Sequence, residues 1–283
     1  MSARMNASRY PITMTLEAPL HHGAFGGDTG NAVLFRRVPL AASPASPGVP
    51  AVSGNALRGA LRRIVMRDLF TRCGLHVGAA EVPPIAWDRL YGALANGGHL
   101  TQAETKTDPV TQRALRHAIP ALSVFGAALY SYMMPGRVSV GWLWPVCTET
   151  VAAGLCTAQP GAPLHDAEEL VAEISQVRHI DRDQQNPALS GVTPMPVTIE
   201  ALVPGVVLQG SLIALKSLPP VEVGVLGYAL NELVSLGGKS GSGFGRVQVQ
   251  HECPSEGYDA WLSDATIVKS ARETLIALAA SMA

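Results

Sequence analysis

The residues with the clearest potential for chemistry form a glycine-rich segment at positions 237–246, GGKSGSGFGR. Its five glycines expose backbone N–H groups, and Lys239 and Arg246 add positive charge, so a phosphate chain could approach closely. A Walker A loop is excluded because its first glycine would fall on Leu233. A dinucleotide-binding loop is excluded because it follows a strand and opens a helix, whereas here a helix precedes and a strand follows. A flexible helix-to-strand connection and a phosphate cradle remain open.

A basic tract lies in the first third of the chain. No Asp or Glu occurs within 29–66, and the arginines of the tract are Arg36, Arg37, Arg58, Arg62 and Arg63, with Arg67 directly after it. Arginines four residues apart on a helix lie along one surface, and an anionic ligand would relieve their mutual repulsion. The net charge of −1 and pI of about 6.7 therefore do not exclude a nucleic acid, because local charge matters more than the total.

The candidates for catalysis are Asp28 and the pair His21 and His22. Asp28 lies among glycines, where it is either a turn residue or a carboxylate that positions a metal ion or an attacking 2′-hydroxyl. The histidines could serve as acid or base in RNA cleavage, but neighbours on a strand face opposite sides, so only one could act. The alternative is one packed and one solvated histidine. The four cysteines form no C-x-x-C pair, so we expect no structural metal site.

The predicted elements are strands at 10–18, 32–35, 137–146, 197–202, 206–214 and 247–250, and helices from Ser53 or Asn55 to about 72, and at 166–175, 221–236 and 258–281. Without insertions the order is strand, helix, strand, strand, helix, strand, which is the ferredoxin-like pattern of the RNA-recognition motif. We predict one α+β domain over 1–283 with insertions at about 74–120 and 178–196. No segment approaches the ~20 apolar residues of a membrane span, so we expect a soluble cytoplasmic protein.

Four stretches, in order, resemble the RAMP superfamily of CRISPR proteins. GGKSGSGFGRV at 237–247 is similar to its C-terminal glycine-rich signature, and VPAVSGNALRGALRR at 49–63 to its first-helix segment. LSVFGAALYSYMMPGRVSV at 122–140 resembles its strand entry, and LHHGAFGGDTGNAVLFR at 20–36 resembles the loop after the first strand of Cas-seven-type backbone subunits. The resemblance implies such a subunit in a class 1 CRISPR effector complex, with type IV favoured and type III next.

This resemblance implies a subunit that binds guide RNA and polymerises along it into a helical filament. The guide is then presented to a complementary DNA or RNA strand, alongside copies of the chain and other effector subunits. The residues expected to bind RNA are Arg36 and Arg63 of the basic tract and, by the resemblance, Ser53, Asn55, Arg58, Arg62, Gly238, Lys239, Ser240 and Arg246.

The polar stretch 178–196 lies where the family has a thumb hairpin that kinks the guide–target duplex. Met195 would wedge between bases while Arg178, His179 and Arg182 hold the strand. The alternative is an ordinary exposed loop.

Catalysis stays an alternative. In type III relatives an aspartate in the loop after the first strand supports metal-dependent cleavage of target RNA, which would make Asp28 catalytic and Mg²⁺ a cofactor. The loop here is short with a single aspartate, so we expect a binding subunit without a cofactor. The alternatives are a target-RNA-cleaving endoribonuclease that uses Asp28 and a guide-processing ribonuclease that uses His21 or His22.

Overall fold

The computed structural model describes residues 8–24, 32–41, 47–78, 81–100, 108–130, 132–177 and 196–282. The strands are β1 (Arg9–Leu16), β2 (Ala32–Val33), β3 (Arg37–Val38), β4 (Val49–Pro50), β5 (Gly98–Leu100), β6 (Gly126–Tyr130), β7 (Met133–Pro135), β8 (Val138–Val140), β9 (Trp144–Pro145), β10 (Val171–Val177), β11 (Pro196–Leu202), β12 (Val207–Ala214) and β13 (Val247–His251). The helices are α1 (Gly54–Arg72), α2 (Pro84–Asn96), α3 (Pro109–Ala118), α4 (Pro120–Phe125), α5 (Thr148–Ala152), α6 (Pro220–Asn231), α7 (Glu256–Ser263) and α8 (Ala265–Ser281). The predicted α+β class is confirmed.

The central sheet has the strand order β13-β1-β12-β8, and every neighbouring pair is antiparallel. β1 alternates as the sequence predicts: Ile12, Met14 and Leu16 are buried, and the residues between them are more exposed. Burying such a side chain contributes roughly 1.5–3 kcal/mol, so the alternation fixes which face of the strand meets the core. Helices α1 and α6 pack against each other and against strands of this sheet.

Helix α1 is the element that positions the basic tract. It begins after Ser53, whose hydroxyl accepts a hydrogen bond from the Ala56 N–H at 3.4 Å, as expected of an N-cap. Leu57, Leu61 and Val65 are buried one turn apart and fix the rotation of the helix about its axis. The arginines on the remaining faces therefore have defined directions.

β10 and β11 form an antiparallel ribbon, from the pair Val171–Leu202 to the pair Val177–Pro196. The helix predicted at 166–175 is wrong: one 3-10 turn, Ala167–Leu170, is followed directly by β10. Pairing along the whole of β11 outweighs the helical preference of this acidic stretch. The far end of the ribbon leads into 178–195, so Arg178, His179, Arg182 and Met195 lie outside the described residues, as does Asp28.

Three other boundaries differ from the prediction. The strand predicted at 137–146 is divided into β8 and β9. Helix α6 ends at Asn231 instead of 236, because the following residues pair with residues 245–247 at the end of the glycine-rich segment. The terminal helix is broken at Asp264, whose carboxylate accepts hydrogen bonds from the N–H groups of Thr266 and Ile267 and so caps α8.

Residues 74–120 contribute α2, β5 and α3, and α2 packs against α1 and α8. No helix in the described part of the chain combines the length and the apolar character needed to cross a bilayer.

Candidate nucleic-acid interface

A groove of about 560 Å³ runs between α1 and residues 232–240. We call it the α1 groove. Its lining includes Asn55, Gly59, Arg63 and Arg67 from α1, Glu232, Ser235, Gly237 and Ser240 from the facing segment, and His22. The facing segment runs antiparallel to α1. Just before the segment, in α6, burial and then the nearby Asp68 carboxylate of α1 raise the pKa of Tyr228 to about 12. Towards the end of the segment, the Gly238 N–H donates to the His21 carbonyl at 2.9 Å.

Backbone hydrogen bonds tie both ends of the glycine-rich segment. The Leu236 N–H donates to the Gly245 carbonyl at 2.8 Å, and the Val247 N–H to the Val234 carbonyl at 3.1 Å. Gly245 has φ +78°, and a Cβ at this position would overlap the Leu236 carbonyl oxygen. Only glycine meets both conditions without strain. The segment is thus a closed loop whose ends are fixed, with Lys239 and Ser240 exposed at its tip.

Two of the predicted arginines support the fold directly. Arg58 donates from Nε at 3.1 Å, and also from Nη2, to the carbonyl of Phe125, the last residue of α4, and Arg62 donates to the same oxygen at 3.0 Å. Positive charge at a helix C-terminus is stabilising. Burial lowers the pKa of Arg58, and burial followed by the charges of Arg58 and Arg63 lowers the pKa of Arg62 to about 10. Neither lines the α1 groove.

The second pair of α1 arginines spaced four residues apart, Arg63 and Arg67, does line the α1 groove. Arg67 is exposed and donates from Nε to the Tyr91 hydroxyl at 3.2 Å. Arg63 makes no hydrogen bond or ion pair with any residue that the structure describes, so its charge has no protein partner there. Arg67 was not among the residues expected to bind RNA, although its spacing of four from Arg63 is the signal that places both on one face.

The remaining predicted residues divide between groove and surroundings. Asn55 and Ser240 are exposed and line the groove, whereas the Ser53 hydroxyl caps α1. Arg246 lies outside the groove and pairs with Glu17 at 3.3 Å, both side chains being largely exposed. Arg36 is half-buried, and its N–H donates to the His22 carbonyl at 2.8 Å. The groove thus gathers Asn55, Arg63 and Ser240 from the predicted set, but not Arg58, Arg62 or Arg246.

The two histidines occupy different environments. His21 is 5% exposed and its Nδ1 lies 2.7 Å from the Glu200 carbonyl, so it is a packed side chain. His22 is half-buried in the groove lining, and its Nε2 accepts a hydrogen bond from the Ser53 N–H at 3.3 Å. Burial, then the charges of Arg36 and His21, lower the pKa of His22 to about 4. His22 is therefore neutral at pH 7, and it lines the groove although the sequence suggested only a catalytic role for it.

Phe244 connects the glycine-rich loop to the β10–β11 ribbon. Its ring is 5% exposed and packs with Ile199 and Ala201 in a small apolar cluster separate from the main core. Partly buried Ile174 and Val197 complete this cluster. The orientation of the ribbon is thereby linked to the loop that borders the α1 groove.

No protein-family model matches the sequence, and no curated protein matches it. Among solved structures, the chain is similar to one in a type IV-B CRISPR complex, with 19% identity and a TM-score of 0.58 over 91% of this chain and 100% of that one. It is also similar to one in the cryo-EM structure of a type III-B Cmr-beta complex bound to cognate target RNA, with 11% identity and a TM-score of 0.46 over 87% of this chain and 60% of that one.

The chain therefore has the fold of a CRISPR-complex subunit. This fold agrees with the resemblance of the four sequence stretches to CRISPR proteins.

Proposed function

We propose that the chain is a backbone subunit that binds CRISPR guide RNA in the α1 groove and polymerises along it with copies of itself. It would present the guide to a complementary DNA or RNA strand within a complex that contains other effector subunits. The observation that carries the proposal is the groove itself, which Arg63 lines opposite residues 232–240 and in which Arg63 has no partner among the described residues.

The order of elements in the central sheet supports a ferredoxin-like palm as the platform for this groove. Taken along the chain, β1, α1, β8, β12, α6 and β13 follow the strand-helix-strand-strand-helix-strand pattern. In space their strands lie in the order fourth, first, third, second, as in the RNA-recognition-motif sheet. α1 and the residues after α6 then border one groove because both helices pack on the same sheet.

The chemistry of the groove suits the backbone of a single strand. A guanidinium forms short, charge-assisted hydrogen bonds to phosphate oxygens. Arg63 and Arg67 are separated by about one helical turn, so they can contact neighbouring phosphates of one strand. The first turn of α1 carries no acidic residue that would repel this strand.

We further propose that the β10–β11 ribbon carries the thumb, formed by residues 178–195. The ribbon leads into that stretch at Val177 and out of it at Pro196, and Phe244 anchors the ribbon to the glycine-rich loop. This arrangement would hold the thumb at a set angle to the guide.

Guide processing by the histidines finds little support. His21 is packed against Phe35 and the Glu200 carbonyl. A general acid or base works best with a pKa near the operating pH, and the pKa of His22 is about 4. We therefore propose a binding subunit, and we give the groove no catalytic role.

Co-expression with guide RNA, followed by size-exclusion chromatography and extraction of nucleic acid, tests the proposal. The wild-type chain should elute as RNA-containing assemblies larger than a monomer. Arg63→Gln/Arg67→Gln should lose most of the RNA, whereas Arg113→Gln/Lys216→Gln should keep it. Both control residues are exposed and lie outside the groove, and the control variant removes the same charge. A nucleic-acid-free wild-type monomer, or equal loss of RNA in both variants, would overturn the proposal.

A further inference from the structure

The α1 groove has two chemically different ends. Arg63 and Arg67 lie along the middle of α1, with Glu232 on the facing wall. The other end, at the start of α1, is lined by His22, Asn55 and Ser240. From Asn55 to Arg63 the helix rises about 12 Å, which matches the rise of three to four stacked nucleotides at about 3.4 Å each. One strand could therefore contact both ends at once.

Two hydrogen bonds place His22, Asn55 and Ser240 at the same end of the α1 groove. His22 Nε2 accepts the Ser53 N–H directly before α1, and Asn55 is in the first turn of the helix. Ser240 lies two residues after Gly238, whose N–H donates to the His21 carbonyl. His22, Asn55 and Ser240 therefore line the same end of the groove, beside the beginning of α1.

The side chains that line this end are neutral hydrogen-bonding groups. Because Nε2 of His22 accepts a hydrogen bond and the ring is neutral, the proton resides on Nδ1, which leaves one donor. The Asn55 amide and the Ser240 hydroxyl each supply a donor and an acceptor. Neither of these two side chains is engaged by another residue of the described structure. Arg36 and Lys239 lie nearby but are not part of the lining.

A phosphate prefers the cationic end, where charge-assisted hydrogen bonds are about twice as strong as neutral ones. The group best matched to a neutral cluster of donors and acceptors is a hydroxyl. In a nucleic-acid strand that is the ribose 2′-hydroxyl, which is both donor and acceptor and which distinguishes RNA from DNA.

We propose that His22, Asn55 and Ser240 form a ribose-recognition site that hydrogen-bonds a 2′-hydroxyl, so that the α1 groove selects RNA over DNA. This inference rests on the proposed function, because it requires that a strand lies in the groove. It adds a chemical basis for the choice of strand that the arginines, which contact phosphate alone, cannot supply.

The test compares three strands of one sequence by fluorescence anisotropy at fixed salt: RNA, DNA and 2′-fluoro RNA. The 2′-fluoro strand retains the sugar pucker of RNA but has no O–H donor. RNA should bind about 30-fold more tightly than either of the others, as two hydrogen bonds of ordinary strength would give. Equal affinity for RNA and 2′-fluoro RNA would overturn the inference, even if DNA bound more weakly.

Variants assign the effect to the site. Asn55→Ala/Ser240→Ala should reduce RNA affinity to about the level of DNA affinity. Both residues are exposed, so the variant should fold. Ser242→Ala is the matched control, since Ser242 is exposed in the same loop but does not line the groove. An unchanged RNA-to-DNA ratio in the double variant would contradict the site.

The same assay separates failure of this inference from failure of the proposed function. If Arg63→Gln/Arg67→Gln weakens binding of all three strands while wild-type protein binds them equally, the groove binds nucleic acid and the ribose site alone is wrong. If the arginine variant binds every strand as tightly as wild type, or if wild type binds none, the proposed function fails and the ribose site fails with it.

Discussion

Replacing Gly245 with alanine should destabilise the chain through the closed end of the glycine-rich loop. Gly245 has φ +78°, in the left-handed region that an L-residue adopts at a cost. The new Cβ would also overlap the Leu236 carbonyl oxygen. That carbonyl cannot simply move away, because the Leu236 N–H is hydrogen-bonded to the Gly245 carbonyl at 2.8 Å, and the Gly245 N–H donates to the Pro19 carbonyl at 2.7 Å.

The expected loss follows from these contacts. The left-handed conformation costs an alanine about 1–2 kcal/mol. Relieving the overlap requires Leu236 and Gly245 to separate, which removes one or two backbone hydrogen bonds worth about 1 kcal/mol each. We therefore expect Gly245→Ala to lower the free energy of unfolding by about 3 kcal/mol.

Two glycines of the same loop provide graded controls. Gly243 has φ +83°, but a Cβ added there would meet no other atom within 4 Å. Alanine at Gly243 should therefore cost only the conformational contribution, about 1 kcal/mol. Gly241 also has open space around it and does not have a positive φ of this kind. Alanine at Gly241 should leave stability unchanged or raise it by about 0.5 kcal/mol through the unfolded chain.

Urea unfolding followed by tryptophan fluorescence, together with thermal melting, measures the series. Each kcal/mol should lower Tm by about 2 °C in a chain of this size, so Gly245→Ala should melt about 6 °C below wild type. If Gly245→Ala is as stable as Gly241→Ala, the loop is not closed in the way described. If Gly243→Ala loses as much as Gly245→Ala, the overlap with Leu236 has no measurable effect.

Three further predictions concern the groove and its supports. Arg63→Gln/Arg67→Gln should reduce the slope of log affinity for single-stranded RNA against log salt by about 1.4, at about 0.7 per lost phosphate contact; an unchanged slope would contradict the phosphate contacts. Arg58→Gln should lower the free energy of unfolding by about 1–2 kcal/mol by removing donors to the Phe125 carbonyl, whereas replacing the groove arginines should change it by less than about 0.5 kcal/mol. Unfolding free energy should fall as pH drops from 6.5 towards 4, because the unfolded chain protonates His22 before the folded chain does; His22→Gln should flatten this dependence, and an equally steep one in that variant would point to other groups.

Much of the fold could be predicted from local signals. Apolar residues recur about every second position in β1 and about every 3.6 positions in α1, and serine, as at Ser53, is a favoured N-cap residue. Both elements lie within a residue or two of their predicted positions. The wrongly predicted elements are those whose conformation depends on pairing with a distant part of the chain. Residues 171–177 form a strand because β11 lies beside them, and α6 stops early because Val234 and Leu236 pair with Val247 and Gly245 at the far end of the loop.

Several residues of the candidate site could be predicted from the sequence, but their positions relative to one another could not. The spacing of four between arginines predicted that those of each pair on α1 lie along one surface. The spacing did not show which pair of arginines would face a groove. No sequence signal identified His22 as a residue that lines it. The glycine-rich segment allowed a flexible connection or a cradle, and the hydrogen bonds at its two ends fix it as a closed loop.

The sequence by itself determined the absence of acidic residues within 29–66, the cap and the apolar period of α1, and the glycines that allow a tight loop, because these are properties of neighbouring residues. Only the tertiary structure decided that Arg58 and Arg62 donate hydrogen bonds to the carbonyl at the end of α4, while Arg63 lines the α1 groove. The Phe125 carbonyl lies 67 and 63 positions along the chain from those two arginines. Their division into supporting and groove-lining groups therefore depends on where α4 packs against α1, and no local pattern encodes that contact.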